Sequence, residues 1–212
     1  MIEPTQRRRT AAEARERILL AAEKRLIEGG PDAIRVQHVA RDLDLTDAAI
    51  YHHFESRDGL IDALLRFAGR RLKERLASAI EKWDRESFDI QTLMDFVGET
   101  YADRGYARLA AWMVLAGWKP LGSGLYREFA ETIHQIRVQR SIDAGLPAPD
   151  LDDTLFAVAL INMILFAEPL VGDAMRRSVR LAPKRETANR HRDWFVGLLE
   201  AHLNPSPGPS AQ

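Results

Sequence analysis

The 212 residues include no cysteine, which removes disulfides, thiolate zinc sites and cysteine nucleophiles together. An excess of charge of either sign is also missing. Thirty Lys/Arg against 31 Asp/Glu leave a formal net charge of −1, whereas nucleic-acid binders usually carry a basic footprint. Residues 1–60 do not supply one, with ten Lys/Arg against eleven Asp/Glu. Positive charge is gathered instead in Arg7-Arg8-Arg9, a basic arm ahead of the first helix. Such an arm reads equally as a DNA-reaching segment or as a solvated tail. Alternating strand patterns are hard to find, while 3.6-residue periodicity recurs, so the fold class is all-α.

Long clean apolar runs are missing too. The most apolar stretch, LFAVALINMILFAEPLV from Leu155 to Val171, is broken by Asn162, Glu168 and Pro169. It falls short of the roughly 20 apolar residues a span needs, so it predicts a buried helix, apolar on several sides, and no membrane partner. The opening MIEPTQRRRT has no apolar stretch behind its arginines and is not a signal peptide, which points to the cytoplasm. No catalytic constellation stands out. The six histidines are scattered, and Glu99/Asp103 and Asp152/Asp153 lack the HxxE or ExxH pattern of a bundle metal site. No catalytic residue, metal or cofactor is therefore expected.

What is present is a large apolar complement, 46% of residues, sorted into helical stripes. Ile18, Ala22 and Leu26 form the inward line of a first helix from about Thr10 to Gly29, closed by Gly30-Pro31. Arg25 is read as a stem lying along that helix with its head in water. The decisive stretch is RVQHVARDLDLTDAAIYHHF, Arg35 to Phe54. Val36, Val39, Ala40 and Leu43 recur at helical spacing; Asp44-Leu45-Thr46 interrupts them; Thr46 is a good N-cap and Asp47 suits the positive end of the next dipole. On that next helix Ile50 and Phe54 share a face with Thr46, while Ala48, Ala49, Tyr51 and His52 lie opposite. Two helices too short to be stable alone, joined by a tight turn, read as a helix-turn-helix, although any helical hairpin in an all-α domain fits the periodicity.

The joint pattern resembles the DNA-binding signature of the tetracycline-repressor (TetR) family of bacterial regulators. The matching residues are Val36, Val39-Ala40, Leu45-Thr46, Ile50-Tyr51-His52-His53-Phe54, Ser56-Arg57 and Leu60, with Arg17-Ile18, Ala21-Ala22, Leu26 and Gly30 upstream. The resemblance covers about residues 10 to 70. It implies a three-helix DNA-binding domain over 10–56, a larger helical effector-binding and dimerisation domain over 57–203, and a disordered tail over 204–212. It further implies Arg35, Gln37, Thr46, Asp47, Ala48, Ala49, Tyr51, His52 and Arg57 as the DNA-contacting set, with Arg57 serving a phosphate. Three positions depart from the family pattern. Arg35 replaces the usual Thr cap, Asp44 replaces the usual turn Gly and must tolerate a left-handed conformation, and Asp47 stands where Lys is common. An acid there costs affinity unless it accepts from a cytosine amino group.

Beyond residue 84 the chain offers stripes only. A helix from Ser56 to about Trp83, one through Ile90 to Tyr101, one over Ala107 to Ala116, one from Leu125 to Ala144 and a last from about Lys184 to Leu203 are expected. Trp194-Phe195, Leu198-Leu199 and His202-Leu203 make the last helix a broad stripe repeating every four residues. Two closing helices of this kind resemble the family's homodimer interface, placed here at about 150–203. Aromatic and sulfur side chains in the middle suggest a small-molecule effector pocket. Its candidate lining is Phe96, Tyr101, Trp112, Met113, Trp118, Phe129, Met163 and Phe166, with His134, Asn162 or Glu168 orienting the ligand; ordinary core explains each of them as well. The expected protein is a repressor that binds a palindromic double-stranded operator and is released by a mostly apolar effector. An all-α enzyme and a helical protein-protein scaffold are the alternatives.

Overall fold

A computed structural model describes residues 4–80, 90–118, 124, 126–182 and 184–204, and every described regular element is helical. Trp83, the loop over 119–123 and the tail beyond Asn204 lie outside the described residues. The chain divides into two units, residues 1–71 with 100–120 and residues 72–99 with 121–212. That division differs from the functional boundary expected after residue 56, because a mid-chain helix joins the first unit.

Unit one is built from α1 (Pro4–Gly29), α2 (Val36–Asp42), α3 (Asp47–Phe54), the start of α4 (Arg57–Ile80) and α6 (Tyr106–Leu115). Helix α1 begins earlier than its apolar line suggested, so Arg7–Arg9 belong to the helix and do not form an arm ahead of it. It ends as expected at Gly30, whose positive φ of 74° lets its amide reach the Leu26 carbonyl at 2.9 Å. Ile18, Ala22 and Leu26 are wholly buried with Ile34, Val39, Ile50, Leu60, Leu64 and Leu109 in one apolar cluster. Burying a side chain of this size stabilises by about 1.5–3 kcal/mol.

A polar tie runs through the same unit. Glu23 is buried, and its Oε2 accepts from Arg71 Nη1 at 3.1 Å and Arg104 Nη1 at 3.2 Å. The Tyr106 hydroxyl donates to Oε1 at 2.9 Å. Burial, then the nearby Glu23 carboxylate, pushes the Tyr106 hydroxyl well above its ordinary pKa. At the α6 entry Gly105 has φ 74°, and a Cβ there would sit 3.3 Å from Leu26 Cγ, so glycine allows α6 to start close against α1. The head of Arg25 stays at the surface, as expected, and finds a partner there. Its Nε donates to Asp42 Oδ2 at 2.7 Å and its Nη2 to Oδ1, tying α1 to the end of α2. That hydrogen-bonded pairing, above all, holds the Asp42 carboxyl below its usual range.

Unit two contains α5 (Ile90–Gly98), α7 (Arg127–Asp143), α8 (Leu151–Ser178) and α9 (Arg185–Leu203). Helix α8 is capped by Asp150, which accepts from the Asp152 amide at 2.9 Å. Acids in its first turn and Arg176 and Arg177 in its last complement the dipole. By length and composition it is long and apolar enough to cross a membrane, with 28% of its most apolar window buried. The expectation of a buried helix therefore needs correction. Ala157, Val158, Ile161 and Leu165 are buried, but Phe156, Leu160, Met163, Val171 and Met175 are exposed along the other side. Helix α9 divides in the same way: Phe195, Leu199 and Leu203 point inward, and Trp194 and Leu198 are exposed.

Unit two has its own buried charge. Arg137 donates from Nη1 to Thr154 Oγ1 at 2.6 Å and from Nε to the Leu203 carbonyl at 3.2 Å, and it pairs with Asp153 at 2.8 Å. Burial works to raise Asp153, but Arg137 and His202 outweigh it and hold the carboxyl below its ordinary range.

Candidate nucleic-acid interface

Helix α3 forms where the cap residues demand it. Thr46 is extended and its Oγ1 accepts from the Ala49 amide at 3.2 Å, satisfying one of the orphan donors at the helix start. Asp44 adopts φ 53°, the left-handed conformation that Asp accepts better than most residues, so the turn forms without the glycine. Arg35 occupies the cap position of α2 and gives no side-chain cap, as its chemistry requires.

The helix is thus divided as its periodicity predicted. Ile50 and Phe54 are buried in the unit-one core, Ala49 is half-buried, and Asp47, Ala48, Tyr51 and His52 are exposed. Arg35, Gln37, Tyr51 and Arg57 come together with Asp32 and Val36 around an open cleft of about 400 Å³. Four of the nine expected DNA-contacting residues therefore share one surface feature, and the rest of the set follows along α3. The cleft offers donors from two guanidinium groups and a phenol, chemistry that suits a phosphate oxygen.

Arg57 does more than line this cleft. Its Nε donates to the Ile34 carbonyl at 2.8 Å and its Nη2 to the Pro31 carbonyl at 3.0 Å, and the guanidinium lies 5.0 Å over the Trp112 ring. This cation at the start of α4 thereby holds the 3₁₀ turn Pro31–Ala33 ahead of α2. Sequence reasoning missed this, along with Arg15, which donates to the His53 carbonyl and lies 4.3 Å over the Phe54 ring at the end of α3. Burial first, then His52 and Arg15, depress the His53 pKa, so this imidazole brings no positive charge near neutral pH.

The candidate effector residues fall in both units. Tyr101, Trp112 and Met113 pack on the unit-one cluster, and Trp118 is exposed nearby in sequence. In unit two Phe129 is buried, and Phe96 and Phe166 are half-buried. His134 Nδ1 lies 3.2 Å from Thr154 Oγ1, and Glu168 pairs with Arg176. Met163 sits on the exposed line of α8, away from that interior. Asn162 donates from Nδ2 to the Val158 carbonyl at 2.9 Å, while its buried Oδ1 has no hydrogen-bond partner among the described residues.

Residues 18–64 match the family model of bacterial regulatory proteins, tetR family. Those residues run from α1 into α4 and carry the helix-turn-helix domain of that family. It is 23% identical over 157 residues to the HTH-type transcriptional regulator UidR of Escherichia coli, covering 72% of this chain and 79% of that protein. The fold of a TetR-family transcriptional regulator from Pectobacterium atrosepticum superposes with a TM-score of 0.60 at 21% identity, covering 94% of this chain and 98% of that one. AibR, solved in complex with isovaleryl coenzyme A and operator DNA, gives 0.56 at 16% identity, with 91% and 99% covered. Within the matched residues the helix-turn-helix is α2 and α3.

Proposed function

We propose that this TetR-family protein is a cytoplasmic, ligand-responsive repressor acting as a homodimer on a palindromic double-stranded operator. The observation that carries the DNA-reading half is the Thr46-capped α3, with Asp47, Ala48, Tyr51 and His52 exposed beside the Arg35, Gln37 and Arg57 cleft. The small Ala48 allows close approach to a groove, and the cleft cations anchor the backbone. In this reading residues 10–56 read DNA, residues 57–203 sense and dimerise, and Arg57 adds a phosphate contact to its grip on the 3₁₀ turn.

The homodimer reading rests on α8 and α9. Phe156, Leu160, Met163 and Val171 fall at spacings of four, three and eight residues, one line along α8, and Trp194 and Leu198 add a second line on α9. A second copy offering the same lines would bury both in a two-fold four-helix bundle. The effector reading rests on Asn162, whose buried Oδ1 has no hydrogen-bond partner among the described residues and invites a donor group on a ligand, with Phe96, Phe129 and Phe166 in the same unit as candidate apolar lining. AibR was solved with both a ligand and operator DNA, which fits this reading. Coupling of about 1–3 kcal/mol, roughly 5–150-fold in operator affinity, is the usual scale.

Fluorescence anisotropy on operator fragments selected from genomic DNA tests the proposal. Binding should be dimeric, should fall steeply with salt, and should weaken with a cognate small molecule. Salt-insensitive or monomeric binding would remove the DNA-reading or dimer half respectively. Unchanged affinity across a ligand library would remove the sensing half.

A further inference from the structure

We infer that Asp47 selects a cytosine in each half-site, its carboxylate accepting a hydrogen bond from the N4 amino group of that base. The inference rests on the DNA-reading proposal and deepens it by naming part of the sequence read. Three acids lie in or beside the helix-turn-helix bend, and the structure treats them differently. Asp42 is held in a bidentate pair by Arg25, and Asp44 provides the left-handed residue of the turn. Asp47 is exposed at the first position of α3, and its carboxylate has neither a hydrogen bond nor an ion pair among the described residues. An unpaired carboxylate on the surface that meets a polyanion costs affinity at every sequence unless a specific donor meets it.

Position argues that a donor does. The N-terminal residues of a recognition helix are the ones that reach base edges. With 3.6 residues per turn, Asp47 stands one turn ahead of Tyr51 on the same edge of α3. Tyr51 lines the cleft with Arg35, Gln37 and Arg57, so an anchored phosphate there leaves Asp47 toward the groove. Only two bases offer a donor in the major groove, cytosine at N4 and adenine at N6. The adenine donor is flanked by two acceptors, its own N7 and the thymine O4. The cytosine donor has an acceptor on one side only, the paired guanine O6. A carboxylate, which accepts and cannot donate, is repelled less at cytosine. The competing role for Asp47 is as a partner of the α3 dipole, which would make it a matter of stability and not of sequence.

Selection of bound duplexes from random DNA with the full-length protein, its D47A variant and its D47N variant separates these roles. Selected duplexes are then titrated by anisotropy, and thermal unfolding is measured in parallel. The wild type should select a cytosine at one position per half-site. Replacing that base should cost the wild type roughly 5- to 150-fold per half-site and cost D47A little. D47A should bind shuffled DNA at least as tightly as the wild type, and D47N should move the preference toward adenine, which Asn pairs well. The inference is overturned if the wild type binds a defined site containing no cytosine that D47A relaxes. It is also overturned if both variants lose thermal stability and weaken on all duplexes in parallel, the signature of a dipole partner. Failure of the wild type to bind any duplex would overturn the DNA-reading proposal itself, and the inference with it.

Discussion

The two units satisfy their buried surface differently. Unit one gathers nineteen buried residues of α1, α2, α3, α4, α6 and the turn before α2 in one cluster, with Glu23 tied to Arg71, Arg104 and Tyr106, and leaves Leu115 and Val114 exposed at the end of α6. Unit two also holds a buried charge, Arg137 on Asp153, Thr154 and Leu203, yet leaves Phe156, Met163 and Trp194 each at least 61% exposed. A unit that is to pair with a copy of itself keeps a second apolar face in reserve. The contrast is one of extent: in unit two the exposed apolar side chains run along α8 and onto α9, the face that the proposed dimer would cover.

The largest expected effect breaks the contrast at that outer face. Met163→Asp places a carboxylate in the middle of the exposed α8 line. Sedimentation should show monomers, and affinity for a two-half-site operator should fall by about 10²–10⁴-fold, the loss of linked binding. Dimers with unchanged affinity would show that the α8 line has another use.

The polar ties come next. Glu23→Ala leaves two guanidinium groups and a phenol facing a buried gap. With Arg71 and Arg104 partly solvated, the cost in denaturant unfolding should be about 3 kcal/mol, near the lower end for a broken buried pair. Tyr106 sharpens this with a pH signature. Its pKa is higher in the folded state than in the unfolded chain, so the stability it adds is fully present below about pH 10 and is lost as pH rises beyond it. The wild type should therefore lose stability above that pH more steeply than Tyr106→Phe.

Smaller effects follow at the helix-turn-helix itself. Thr46→Ala removes the α3 cap and should cost about 1 kcal/mol in the same assay. Asp42→Asn should matter least. Its carboxyl is held below the ordinary range by Arg25, so what it adds is present above about pH 4 and disappears on further acidification. The wild type and the Asn variant should differ modestly near neutral pH and converge as acid protonates Asp42.

Much of unit one was legible before any coordinates. Ile18, Ala22, Leu26, Val36, Val39, Ile50, Phe54 and Leu60 are buried where the periodicity placed them, and Thr46 and Asp44 adopt the cap and the left-handed turn their chemistry favours. Each of these follows from neighbours within one or two helical turns. The stripe of α9 was legible too, but its division into an inward line and an exposed line was not. Which side of an apolar helix meets its own chain depends on partners far away in sequence.

Local pattern therefore determined that the helices form, the cap of α3 and the outward placing of Asp47, Ala48, Tyr51 and His52. Tertiary structure alone decided what the charged residues do. Arg57 grips the carbonyls of Pro31 and Ile34, Arg25 seizes Asp42, and Glu23 gathers residues 48, 81 and 83 positions away. Helical periodicity records whether a side chain is apolar. A charged side chain is placed by whichever opposite charge or carbonyl the folded chain brings within hydrogen-bond reach, and that contact leaves no period in the sequence.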